Sequence, residues 1–338
     1  MAGIVGGASL SRAQFSALPQ SSPAAPRSRV VVVKDPQATS AYVPRADIVK
    51  SMVDRGLLRL TGKADLARAW RSLVTTQDVV GLKVYSGPGP NSGTRPAVVR
   101  AVIEGLIGAG TPADHIIIWD KRQFDLRIAG YDALAREFGV RLAGSSDDGY
   151  DDAVFYDNAI PGTLVAGDLE FDQKGTTTGR KSYVSKLVTK QMTKIIIVAP
   201  LLNHNLAGIC GNIFSLSFGS VDNTLRFLTD PSRLATAAPE IYALPALSDH
   251  VALCVMDALI GQYQGEQMSM LHYSAEVNQI WLSKDPVALD AMGIQELDRE
   301  RQAAGIHAPN PASELLGNAA LLELGVADLN KVQVDVAK

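Results

Sequence analysis

Five short apolar runs limit what this chain can fold into: RVVVVK (29–34), VVGLKVY (79–85), HIIIWD (115–120), KIIIVA (194–199) and VALCVM (251–256). All are rich in β-branched residues, and their apolar character is continuous instead of alternating. A strand with one wet face alternates, so these runs predict strands covered on both faces. Between the second and third, Val98, Val99, Val102, Ile103 and Leu106 recur at helical spacing, with Thr94 as N-cap, Pro96 in the first turn and Gly110 as the stop. A further helix is predicted over 131–138. Strand, helix and strand in succession predict an α/β fold with a largely parallel sheet flanked by helices, Rossmann-like in plan. The stretch 144–179, rich in Asp, Gly and Thr, interrupts the pattern and predicts a long insertion or a second, smaller subdomain bounded nearby.

Composition excludes several function classes. Acidic residues number 35 against 32 basic ones, with no long run of either sign, so no nucleic-acid footprint or polybasic membrane patch is visible. Cys210 and Cys254 are the only cysteines, so this chain alone supplies no iron–sulfur cluster and no disulfide framework. No apolar stretch reaches the roughly 20 residues that cross a bilayer. The first 28 residues open on AGIVGGASL and pass into a Ser/Pro/Ala segment. They read either as the remnant of an export signal, of the kind that ends twin-arginine leaders, or as a disordered linker before an α/β domain over 29–338.

In parallel sheets the functional crevice lies beyond the carboxyl ends of the strands, and three strand ends here carry polar residues. Lys83 ends the second run and precedes the glycine-rich loop YSGPGPNSGTR, where Asn91 and Thr94 stand before a helix start able to hold an anion. That loop has neither the P-loop nor the dinucleotide fingerprint. Asp120 and Lys121 end the third run. The fourth leads into PLLNHNLAGICGNIFSLSFGSVDNTLRF, which brings His204 between Asn203 and Asn205, followed by Asp222, Asn223 and Arg226. His204 is a proton shuttle or metal ligand on this reading, or else a structural loop histidine, with Asp120 as a second candidate ligand. Asp222 and Arg226 alternatively begin a helix, with Asp222 as its cap. In SKDPVALD, Asp285 precedes Pro286 and either faces a ligand or caps a helix with Asp290 on its exposed face.

The blocks VVGLKVYSGPGPNSGTRPAVVRAVIEGLIGAGTPADHIIIWD, IIIVAPLLNHNLAGICGNIFSLSFGSVDNTLRF, LPALSDHVALCVMDALIG and WLSKDPVALDAMG, in this order across 79–293, resemble the family of domain of unknown function 362. Lys83, His204, Gly208, Gly211, Asp249, Asp257, Asp285, Pro286 and Asp290 fit its pattern. Many relatives carry a lysine pair before the histidine and a Lys-Asn pair after the glycine turn; this chain has Leu201 to Asn203 and Phe214-Ser215 there. The resemblance favours an exported, periplasmic protein over a cytoplasmic one, since many members are exported. It supplies no reaction.

Two function classes stay open at this point. One is an enzyme acting on a small anionic metabolite, with Lys83, His204 and Asp120 in the chemistry and Asn91, Thr94, Asn203, Asn205, Asn223, Arg226 and Asp285 holding the ligand. The other is a non-catalytic protein that holds a metal or cofactor for a partner.

Overall fold

A computed structural model describes residues 28–265, 268–306 and 313–337; the export-signal reading falls outside these residues. Ten strands carry the architecture: β1 Ser28–Lys34, β2 Val80–Val84, β3 Ile116–Asp120, β4 Arg141–Gly144, β5 Tyr150–Thr163, β6 Thr178–Ser185, β7 Lys194–His204, β8 Val251–Gln262, β9 Ser274–Ser283 and β10 Val332–Ala337. The main sheet has the order β10-β1-β9-β8-β7-β2-β3-β4, with the two-residue strand Gly208–Ile209 pairing β7. Only β9 runs against the others in this order. The α/β expectation with a largely parallel sheet holds.

The continuous apolar runs are explained by the layers. Val31, Val33, Ile116, Ile118, Ile196, Val198, Leu253 and Val255 pack on α1 (Ala46–Thr61), α2 (Pro96–Gly108) and α3 (Tyr131–Phe138). The alternate residues Val30, Val32, Ile117, Trp119, Ile195, Ile197, Cys254 and Met256 pack on the opposite layer. That layer comprises α4 (Asn212–Ser220), α5 (Pro231–Tyr242), α6 (Pro286–Ala303) and α7 (Ser313–Leu321). Two strands are longer than their apolar cores suggest: β7 continues through PLLNH, and β8 through the residues paired with it, as far as Gln262↔Leu202.

The interruption at 144–179 contains β5 and a long loop leading into β6, and the two strands pair as an antiparallel hairpin outside the main sheet. Arg226 fastens it. Its guanidinium donates to the Ile160 carbonyl (2.6 Å), Asn158 Oδ1 (3.2 Å) and Ser182 Oγ (2.9 Å), reaching both strands.

Two capping expectations are corrected. Thr94 does not cap α2: Arg95 holds that position and its amide donates to Asp257 Oδ2 (2.9 Å). Thr94 Oγ1 is spent on donating to the Val198 carbonyl (2.6 Å) and accepting from the Tyr85 amide (3.0 Å). Asp222 likewise caps no helix, since only a single 3-10 turn, Leu225–Phe227, follows it. Its carboxylate accepts instead from the amides of Leu169 (2.7 Å) and Tyr183 (2.5 Å).

Candidate functional site

From β2 the chain moves outward to β3 and β4, while from β7 it moves the other way to β8. The strand order therefore reverses between β2 and β7, the point where a parallel sheet opens at its carboxyl end. Helix α4 lies over this opening, and all nine of its residues are buried. No polar surface remains on it to meet water, so its polar side chains must find partners inside.

Lys83 is placed here by strand periodicity. Val80, Leu82 and Val84 face the α1–α3 layer, which turns Lys83 toward α4. Its Nζ donates to the Val84 carbonyl (2.6 Å), Asp120 Oδ1 (2.8 Å) and Ser215 Oγ (3.1 Å). The other oxygen of Asp120 accepts from both the amide and the hydroxyl of Ser86 (2.7 Å each). Burial lowers the Lys83 pKa and the neighbouring carboxylate opposes that shift; three acceptors on one nitrogen suit the ammonium form. The helix approaches closely because residue 219 is glycine, where a Cβ would lie 2.2 Å from Lys83 Cε. Lys83 is wholly enclosed, and it is Asp120 that meets the open space.

That space is a cleft of about 210 Å³ lined by Asp120, Lys121, Arg122, Asp125, Phe214 and Ser215, among others. The Lys121 nitrogen donates to the carbonyls of Phe218 (3.4 Å) and Val221 near the carboxyl end of α4, and stands 5.8 Å from the centre of the Tyr150 ring. Burial pushes its pKa down to about 8, against the raising influence of Asp222 and Asp168. The Asp125 carboxyl is shifted upward by burial and then by Asp120.

His204 ends β7 with its side chain buried. Its Nδ1 accepts from the amides of Leu206 (3.2 Å) and Ala207 (3.0 Å), which assigns the proton to Nε2. The ring packs on Phe214, centroids 4.3 Å apart, and burial lowers its pKa to about 4. His204 is not among the cleft-lining residues; it touches a ring that is. A His204→Ala variant is expected to lose about 1–3 kcal/mol, because two buried amides lose their acceptor. Urea melts measure this. A loss below about 0.5 kcal/mol would show that the imidazole does not support the turn.

The other expected ligand residues are distributed as follows. Asn203 accepts from Arg301 and donates to Asn205 (2.9 Å), and Asn205 is exposed. Asn91 is exposed, and its carbonyl accepts from Arg95 (3.1 Å). Asn223, at φ +44°, donates its amide side chain to the carbonyls of Gly179 (3.1 Å) and Lys181 (2.9 Å), so it holds the hairpin as Arg226 does. Of the two readings of Asp285 the helix cap holds: it sits away from the cleft, at the opposite end of the sheet's strands, because β9, which delivers it, is antiparallel. There it caps α6 through the Ala288 amide (2.8 Å) and accepts from the Val326 amide (3.0 Å). Asp290 is corrected. It is buried, not exposed, and accepts from Asn212 N (2.7 Å), Asn212 Nδ2 (2.8 Å) and Ile213 N (2.9 Å), capping α4 from another helix.

The roles of three residues escaped the sequence. Ser86 and Ser215 carry no distinguishing pattern. Asp257, which pairs with Arg95 (3.1 Å) and holds the α2 amide, was detectable as a carboxylate inside an apolar strand. Among the described residues, no group of three or more His, Cys, Asp or Glu side chains is placed to hold a metal ion, so His204 and Asp120 do not share such a set.

The family model of the domain of unknown function DUF362 matches residues 80–295, well over half of the chain. The chain belongs to the DUF362 family. The match runs from the first residue of β2 into α6, so this DUF362 region holds the strand-end cleft, the hairpin and both ends of α4. No curated protein matched the chain. Among solved structures it is similar to a structural-genomics crystal structure from Thermotoga maritima, at 11% identity and a TM-score of 0.41. That alignment covers 78% of this chain and 60% of the other. No helix among the described residues is long and apolar enough to cross a membrane.

Proposed function

We propose that this DUF362 protein binds a small organic anion in the strand-end cleft and transfers a proton on it. One observation carries the reading: a carboxylate fixed by three hydrogen bonds and a lysine whose pKa burial lowers to about 8 line the same small cavity at a topological switch point. Asp120 is the fixed carboxylate. Lys121, with a pKa brought near neutral pH, is suited to acid–base work. Arg122, exposed at the cleft, offers the counter-charge for an anion.

The test is thermal melting with oxalate, succinate and inorganic phosphate as probes, followed by proton–deuterium exchange on carbon acids read by NMR. At a hundred times Kd a probe should stabilise by about 2.7 kcal/mol, a Tm rise of roughly 4 °C for a chain of this size. Arg122→Gln and Lys121→Met should remove that rise. A wild-type protein indifferent to all three anions would defeat the reading; binding without exchange on any carbon acid would defeat its catalytic half.

A further inference from the structure

We propose that Lys121 captures a carbonyl compound in the cleft as an imine, which makes the substrate class small 2-oxo or aldehydic carboxylic acids. The inference rests on the anion-binding reading above and adds a covalent role that this reading does not contain.

The placement of the amine argues for it. Lys83 and Lys121 both serve this region, but Lys83 is wholly buried and gives its three hydrogens to three acceptors, whereas Lys121 is half-buried and is one of the residues lining the cleft. Two acceptors stand at the Lys121 nitrogen, the carbonyls of Phe218 and Val221. A neutral amine has two hydrogens and one lone pair. Loss of the third proton therefore leaves both contacts intact and produces the lone pair a carbonyl carbon requires. The charged and titratable groups around it are Asp120 and Arg122 from its own segment, Asp222 beyond α4, Asp168 in the hairpin loop, and Tyr150 on β5. Burial outweighs the acidic members of this set, so the amine comes down to about 8 from 10.5. At pH 7 this raises its neutral fraction about 300-fold over an ordinary lysine, part of which is offset by the lower nucleophilicity of a weaker base.

The remaining parts of the step are also present. The lone pair attacks the carbonyl carbon, the C=O π bond opens, and the nitrogen passes a proton to the new oxygen to give a carbinolamine. Water then leaves and the C=N bond forms, so one carbonyl and one amine become one imine and one water. The departing hydroxyl needs an acid. Asp125 lines the same cleft, and burial shifts its carboxyl upward, which makes it the nearest group able to relay a proton from water to that hydroxyl. Arg122 matches the substrate carboxylate.

The experiment uses the whole chain with glyoxylate as probe and sodium cyanoborohydride as external reductant at pH 7, followed by peptide mass mapping. Reduction of the imine leaves a carboxymethyl group on the nitrogen. Lys121 is expected to be modified roughly tenfold faster than the exposed Lys63 and Lys284, and excess oxalate should slow that modification selectively. Modification of Lys121 no faster than of the exposed lysines overturns the inference. In that case a Tm rise with oxalate leaves the anion cleft standing, and no rise removes both readings. Fast labelling that oxalate does not slow also overturns it, because the reactive amine would then lie outside the anion site.

Discussion

An Asp120→Ala variant is expected to lose about 3–5 kcal/mol of stability, because it leaves the Lys83 ammonium buried without its carboxylate. Lys83→Met combined with Asp120→Leu should recover most of that loss, since apolar side chains of similar volume dispense with the buried charges altogether. A double-mutant cycle from urea melts reads the difference. If Asp120→Ala costs less than about 1 kcal/mol, the pair is not what holds β2, β3 and α4 together. The expected size of the effect also governs functional tests: activity lost in an Asp120 variant counts as chemistry only at temperatures where the variant is folded. Lys121 and Arg122 are cleaner probes of the cleft.

The second large effect belongs to Asp290. Asp290→Ala should cost about 2–4 kcal/mol, because three donors at the buried start of α4 lose their acceptor at once. Its pH dependence has a definite sign. Burial raises the Asp290 carboxyl to about 6 from 3.8. The folded state therefore holds the proton more tightly, and the resulting stabilisation is full below about 4 and lost as pH rises through about 6. Asp222, also raised to about 6, acts in the same sense. His204, lowered to about 4 from 6.5, acts oppositely: its contribution is present above 6.5 and lost as pH falls through about 4. Asp290→Asn should thus fall further behind wild type on going from pH 7 to pH 4, by up to about 3 kcal/mol, whereas His204→Ala should close its gap over the same range. Urea melts at the two pH values decide it. A gap for Asp290→Asn that ignores pH would mean that its carboxyl is charged throughout.

These sites show why part of the molecule was legible in the sequence. The sheet, the α2 start at Pro96 and the α3 span are fixed by local signals: β-branched runs, apolar spacing, and Pro and Gly at helix ends. The gathering of Lys83 and Asp120 followed from strand ends in a parallel sheet. What was not legible depends on one strand's direction and on distant partners. The antiparallel course of β9 sends Asp285 to the far end of the strands, and nothing in SKDPVALD announces that direction. Asp290 and Asp257 cap helices 78 and 162 residues away in sequence. Such a cap leaves no local motif, because the carboxylate and the amides it serves need share only a place in the core. Asn223 and Arg226, grouped with His204 by proximity in sequence, turn instead to the hairpin, whose position depends on tertiary packing.

The place of β1 has a consequence for how the protein comes to be folded. Its two neighbours in the sheet are β9 and β10, and Arg29 reaches Asp335 across 306 residues of sequence. On a ribosome β1 is therefore made long before either of its sheet neighbours. Pairing so distant in sequence is slow, since most of the chain must be ordered before the closure is rewarded. Throughout that interval VVVV is a β-prone apolar segment with both edges open, the kind of segment that seeds aggregation. Yield of the intact protein should then be governed less by the strength of the finished core than by how well this early strand is shielded until the last strands arrive.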